Sequence, residues 1–189
     1  PFHRPYADGD VDVARWAAQR ARMPLALDAD LLPVVDPRRD LELERHVFEG
    51  KPRELLVHRK GATRAFGPGM PGLPDVYRET GQPVILGGSM ETGSYLLAGV
   101  RTGDRTFFTT AHGSGRAMSR TAARKRYRGR QLQEQMEEHG IYVRTASWSG
   151  LAEEAGPAYK NVDDVVEATE RAGLSRRVVR LLPVGNVKG

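Results

Sequence analysis

The chain of 189 residues is long enough for one domain with a substantial core, and its 39% apolar and 28% charged composition, with 21 Gly and 12 Pro, excludes a fibrous or low-complexity protein. Its zero cysteines exclude disulfides, thiolate nucleophiles, Cys-based zinc sites and Cys-ligated iron–sulfur clusters together. Twenty-nine Lys and Arg against 24 Asp and Glu leave a net charge of +5, which points to a polyanion only where it is gathered into a patch.

The opening Pro1-Phe2-His3-Arg4-Pro5 has no apolar h-region, which makes the cytoplasm the default compartment, and a start at Pro rather than Met reads as a fragment. Val13, Ala14, Ala17, Ala18 and Ala21 recur at helical spacing, predicting a helix over Val11–Arg22 that Pro24 ends. Leu25–Asp40, with Pro33 and Pro37, reads as an irregular connection. Leu55-Leu56-Val57 predicts a buried strand that delivers His58, Arg59 and Lys60 at its end. Gly67–Pro74 reads as a stiff exposed loop, followed by strands at Pro83–Leu86, Tyr95–Val100 and Thr106–Thr109 in a meander. Tyr95–Val100 is also the longest uninterrupted apolar run, far short of the roughly 20 residues that span a bilayer. A long helical segment is expected from about Arg116 to His139, capped by Gly140. A strand at Ile141–Arg144, a helix over Asn161–Ala172 and a final strand at Arg177–Pro183 complete the chain. Strands in runs with helices appended make the class α+β, a mixed or antiparallel sheet with flanking helices in one domain over residues 1–189.

Four features carry chemistry. The string Ala111-His112-Gly113-Ser114-Gly115-Arg116 lies between a strand and a helix start. Two glycines admit a ligand close to the backbone there, and Arg116 can grip phosphate with two donors. A neutral imidazole at His112 could attack phosphorus and hold it as a phosphoramidate. By itself, though, the string describes first a structural histidine in a glycine turn. Downstream, Arg116, Arg120, Arg124, Lys125, Arg126, Arg128 and Arg130 are seven basic residues in fifteen, with no acid before Glu134. Arg116, Arg120 and Arg124 would share one helical face at i, i+4, where like charges repel unless a nucleic-acid backbone, or the acids Glu134, Glu137 and Glu138, compensate them. Gly87-Gly88-Ser89-Met90 with Ser94 forms a second Gly/Ser turn. Tyr159 follows the helix-breaking Gly156-Pro157 and could stack a base. The five histidines show no local metal spacing; His58 at its strand end is the best local candidate, so metal ligands remain unknown.

Taken in order, His58-Arg-Lys-Gly-Ala-Thr-Arg-Ala-Phe66, Gly88-Ser89-Met90, His112-Gly-Ser-Gly-Arg-Ala-Met-Ser-Arg120, Ala158-Tyr159-Lys160 and Val187-Lys188-Gly189 resemble the C-terminal portion of the RtcB family of RNA-splicing ligases. The likeness runs from about His46 to Gly189, with residues 1–45 weakly matched. The resemblance implies GTP- and manganese-dependent joining of RNA 2′,3′-cyclic phosphate or 3′-phosphate ends to 5′-hydroxyl ends, as in tRNA splicing and RNA repair. On it, His112 matches the guanylylated histidine. Gly88, Ser89, Met90 and Ser94 match the guanylate loop, His112, Gly113, Ser114 and Gly115 the phosphate loop, and Tyr159 a residue near the guanine. Lys188 matches the terminal lysine on the nucleotide, and Arg116, Arg120 and Arg124 face RNA phosphate. The partners implied are RNA with those ends, an N-terminal half and an activating protein, with no membrane.

The departures from the family pattern also carry expectations. The family's metal ligands, an aspartate, a cysteine and histidines, lie mostly upstream, and a His-Asn pair before His58 falls on Arg38-Arg39. Gly87 stands where proline is usual and Glu91 where glycine is usual, which puts a negative charge near the nucleotide loop unless it points away. The chain is expected to be incomplete as a catalyst without an N-terminal metal-binding part. The competing expectation is a degenerate relative that works as an RNA-binding or regulatory module.

Overall fold

The computed structural model describes residues 41–188. The expected helix over Val11–Arg22, the connection Leu25–Asp40, Arg38-Arg39 and Gly189 lie outside the described residues. The chain divides into two compact units, one ending at Lys60 and one spanning Gly61–Gly189.

In the first unit, β1 (Leu41–Phe48) pairs antiparallel with β2 (Lys51–His58), in register from Leu41↔His58 to Phe48↔Lys51. Glu49 and Gly50 turn the hairpin at φ 51° and 75°, the left-handed pair that matches strand twist. The alternation in β1 is inverted: Leu43 and Val47 are exposed, while Glu44 and His46 are buried. Burial of Glu44 is tolerable because Arg59 donates to it through two nitrogens at 2.5 and 2.9 Å and His46 Nε2 lies 2.5 Å away. His58 is exposed at the end of β2.

In the second unit, β3 (Ala62–Arg64) pairs with β6 (Thr109–Ala111), and β4 (Pro83–Gly87), β5 (Ser94–Gly99) and β8 (Ser175–Leu181) form an antiparallel sheet in the order β4-β5-β8. β7 (Tyr142–Thr145) pairs in parallel with β9 (Gly185–Lys188). The helices are α1 (Arg120–Arg126), α2 (Gly129–Glu138), α3 (Trp148–Glu153) and α4 (Val162–Arg171). Small antiparallel sheets with helices against them make the fold α+β.

Two cores hold this unit. Val84, Leu86, Tyr95 and Leu97 from the inner face of the three-stranded sheet meet Val162 and Val166 of α4. Truncating a side chain as enclosed as Leu86 to Ala costs about 2–5 kcal/mol. Leu132 and Met136 of α2, Ile141, Val143 of β7 and Leu151 of α3 form the second core, to which Met90 belongs.

The structure corrects three expected elements. The segment Arg116–His139 is two helices with an extended lead-in. Ser119 caps α1 by accepting from Ala122 N at 3.1 Å, and the chain turns extended at Tyr127 and Arg128. Gly129 then opens α2 so close to α3 that a Cβ would lie 2.2 Å from the Trp148 carbonyl oxygen. The expected strand Thr106–Thr109 begins instead as the end of a 3₁₀ turn (Arg101–Thr106). Phe107 and Phe108 follow at φ 51° and 50°, and Phe108 is buried edge-on against Phe66. The meander also breaks there: β6 leaves β5 to pair with β3, and β8 takes the open edge of β5. Within the expected exposed loop, Gly67 is buried, and a Cβ there would lie 2.4 Å from the Val100 carbonyl oxygen.

Candidate nucleotide site

Four segments far apart in sequence are stitched to one another by backbone hydrogen bonds. β6 ends at Ala111 and delivers His112 into the glycine turn. That turn is tied to the end of β4: Gly87 N donates to His112 O at 3.1 Å, and Ser114 N donates to Gly87 O at 2.8 Å. The loop from Gly87 to Gly93 thereby lies beside the histidine turn. Gly88 N donates to Gly93 O, and a Cβ at Gly88 would lie 2.4 Å from that same oxygen, so only glycine fits. On its other flank the turn meets the third segment: Lys160 N donates to Gly115 O at 3.0 Å, and Ala117 N to Ala158 O at 2.8 Å. The fourth, β9, is fastened by Asn186 Nδ2 donating to Met90 O at 3.1 Å.

The side chains differ in what they leave free. His112 is exposed. Ser89 closes its own turn, sharing a 3.0 Å hydrogen bond with Thr92 Oγ1 and accepting from the backbone N–H groups of Glu91 and Thr92. Ser94 opens β5 between Gly87 and Leu181. Met90 is buried in the second core. Ser114 is 4% exposed, and its hydroxyl finds no hydrogen-bond partner among the described residues. Glu91, expected to repel phosphate, points elsewhere: its Oε1 accepts from Gly156 N at 2.8 Å, so its charge satisfies the free N–H at the start of a short 3₁₀ turn, Gly156–Ala158.

A polar cluster joins the remaining residues. The Tyr159 hydroxyl donates to Glu154 Oε2 at 2.5 Å, Lys188 Nζ lies 3.5 Å from the same oxygen, and Arg116 Nη1 lies 3.5 Å from Glu154 Oε1. The Arg116 guanidinium sits over the Tyr159 ring, 4.8 Å from its centre, so one face of that ring is already stacked. Partial burial opposes ionisation of Glu154, but the Tyr159 hydroxyl and the charges of Lys188 and Arg116 outweigh it and hold its carboxyl below the usual range. Burial, then the bond to Glu154 and its charge, raise the Tyr159 phenol, with Arg116 opposing.

The expected arginine face is not formed. Arg116 precedes α1, bridges to Tyr159, and directs its guanidinium nitrogens inward, to Met118 O, Tyr159 Oη and Glu153 O at 3.0, 3.0 and 2.6 Å. Arg120 and Arg124 do share a face of α1, and the acid that compensates them is Glu153, at 3.5 and 3.2 Å, rather than the Glu134–Glu138 cluster. Sequence reasoning missed Glu153 and Glu154. Little local distinguishes this acidic pair, since all its cationic partners come from other segments. Among the described residues no group of three or more His, Asp or Glu side chains could hold a metal ion, and no helix is long and apolar enough to cross a membrane.

The family described as tRNA-splicing ligase RtcB matches residues 38–189, further upstream than His46. The tRNA-splicing ligase RtcB of Archaeoglobus fulgidus is 46% identical over 182 residues, covering 94% of this chain and 38% of the relative. That of Thermococcus kodakarensis is 50% identical over 149 residues, 78% of this chain and 31% of the relative. The RNA-splicing ligase RtcB of Mycobacterium bovis is 47% identical over 148 residues, 78% of this chain and 34% of the relative. The chain thus spans less than two fifths of the length of these curated relatives. With a match over residues 38–189 and identities near one half, the chain belongs to the RtcB family.

Proposed function

We propose that this chain is the C-terminal portion of an RNA ligase that joins 2′,3′-cyclic phosphate or 3′-phosphate ends to 5′-hydroxyl ends through a guanylylated His112. The observation that carries the reading is the stitching of the His112 turn to Gly87, which leads into the Gly88–Met90 loop, on one side and to Ala158 and Lys160, which flank Tyr159, on the other, with His112 left exposed. Its imidazole nitrogen attacks the α-phosphorus of GTP; a P–N bond forms and pyrophosphate departs with the bonding pair. The guanylyl group then passes to the RNA 3′-phosphate, freeing the imidazole, and the 5′-hydroxyl oxygen attacks that phosphorus and displaces GMP. The backbone of Gly113 to Gly115 lies against the phosphates, and Lys188 supplies positive charge. Manganese is a different matter: the described residues contain no cluster fit to hold it, so an upstream part of the protein must supply the ligands, and no step is assigned to the metal.

The test is to incubate the chain with labelled GTP and manganese, with and without an upstream segment of an RtcB relative. An acid-labile adduct that disappears in His112→Ala is expected. Its absence under both conditions removes the catalytic reading.

The exposed Lys125, Arg126 and Arg130 support one second reading, an RNA-binding or regulatory module without turnover. It predicts RNA affinity that falls steeply with salt and no adduct in either assay.

A further inference from the structure

We infer that Glu154 is a positioning residue, whose carboxylate fixes the Lys188 ammonium and the Tyr159 phenol where they meet the nucleotide. The inference rests on the proposed guanylylation reading and assigns a role that none of the nucleotide-contacting residues can perform for themselves. Lys188 stands at the end of β9, where a long side chain with four rotors has no reason to adopt one direction. Its ammonium is paired only with Glu154 Oε2 among the described residues. Tyr159 could likewise rotate its hydroxyl towards solvent, yet donates to that same oxygen at 2.5 Å.

The carboxylate itself is well held. Glu154 is the C-cap that follows α3, with its backbone N–H donating to Leu151 O at 3.1 Å, and Leu151 is fully buried in the second core. Neighbouring Glu153 engages Arg120 and Arg124. The two acids therefore divide the local cations: Glu153 faces α1, and Glu154 faces the terminal lysine. Arg116, 3.5 Å from Glu154 Oε1, completes the balance of two cations about one anion, so the cluster keeps a net positive charge towards an incoming phosphate. Removing the carboxylate leaves Lys188 and Arg116 to repel one another and frees the lysine to point away.

Glu154→Gln keeps the size and an acceptor for the Tyr159 hydroxyl but loses the charge that holds Lys188. Affinity for GTP, measured by calorimetry with manganese and the same upstream segment, should weaken about ten-fold, as for one charged positioning contact. Glu154→Asp should recover part of that loss. The double variant Glu154→Gln/Lys188→Ala should bind no worse than Lys188→Ala alone, because both act through the lysine. A spectroscopic readout separates this from general damage: with ¹³C-labelled tyrosine and Tyr159→Phe for assignment, the Tyr159 ring should titrate at lower pH in Glu154→Gln. Affinity unchanged by Glu154→Gln, or losses that simply add in the double variant, overturn the role while leaving the guanylylation reading intact. A wild-type chain that binds no GTP removes both, and is told apart because the failure precedes any substitution.

Discussion

Ser114 shows how a single side chain can be both a cost and a tool. Its backbone is secured, because Ser114 N donates to Gly87 O, but its buried hydroxyl has no partner among the described residues. Leaving a buried hydroxyl unpaired is unfavourable, so Ser114→Ala should stabilise the chain by about 1 kcal/mol, read by urea denaturation. If the hydroxyl instead serves a phosphate, the same variant should bind GTP less tightly while melting later; a loss of stability would mean that the hydroxyl is satisfied, by a water or otherwise. Glu91 carries the complementary lesson. The sequence places a carboxylate next to the glycine loop, and proximity alone predicts repulsion of phosphate. The fold directs that carboxylate to Gly156 N, sixty-five residues away, and removes the conflict.

At the level of elements, the basic stretch separates into two populations. Arg116 is engaged internally, and Arg120 and Arg124 are matched by Glu153. Lys125, Arg126 and Arg130 are exposed and form no ion pair among the described residues. If RNA binds along α1 and α2, these three carry the salt dependence. Changing them to Gln should lower the slope of log affinity against log salt by about 0.7 per lost phosphate contact on a single strand, measured by fluorescence anisotropy between low and moderate salt. An unchanged slope returns them to an ordinary solvated surface. What the sequence revealed at this scale follows from periodicity. α4 was legible because Val162, Val165, Val166 and Thr169 repeat on one face and Asn161 accepts from Asp163 N as its cap. β1 was not, because Leu43, Val47 and Phe48 point outwards and the buried Glu44 is paired with His46 and with an arginine that follows the hairpin. The break between α1 and α2 was hidden for a similar reason: it is set by the Trp148 carbonyl against Gly129, a contact between distant residues. The glycine turn and its neighbours could be named from a family resemblance, yet their mutual stitching through Gly87, Gly115 and Met90 has no local signature. Ile85 adds a further limit. An all-apolar run predicts burial on both faces of a strand, but Ile85 is 55% exposed, because the described residues cover only the inner face of that sheet.

For the molecule as a whole, the perturbed acids define the pH range over which it holds together. Glu154 is held below its usual range as described above, and Glu170 likewise: the Arg177 backbone N–H is the main cause, some desolvation opposes it, and the Arg177 side chain adds to it. Each therefore contributes stability that is present above the pKa of the unfolded chain and is lost as pH falls through the depressed folded value. Tyr95 and Tyr159 act at the other end. The hydrogen bond to Asp163 raises Tyr95, with burial and the Asp163 charge adding, so both phenols contribute stability that is full below the unfolded value and is lost as pH rises through the folded one. The melting temperature should accordingly be flat between about pH 5 and pH 9 and fall on both sides. Glu170 is about one third exposed, at 34%, and lies outside the Glu154 cluster, so solvent screening discounts its share, and Glu170→Gln should flatten the acid limb slightly without touching GTP affinity. Glu154→Gln should flatten the acid limb further and also make the alkaline limb shallower, because the carboxylate that raises Tyr159 is gone and less stability remains to be lost between the unfolded and folded pKa. Differential scanning calorimetry at constant ionic strength from pH 3 to pH 11 checks all three profiles. An alkaline limb as steep in Glu154→Gln as in the unsubstituted chain would mean that the Tyr159–Glu154 bond does not persist in solution.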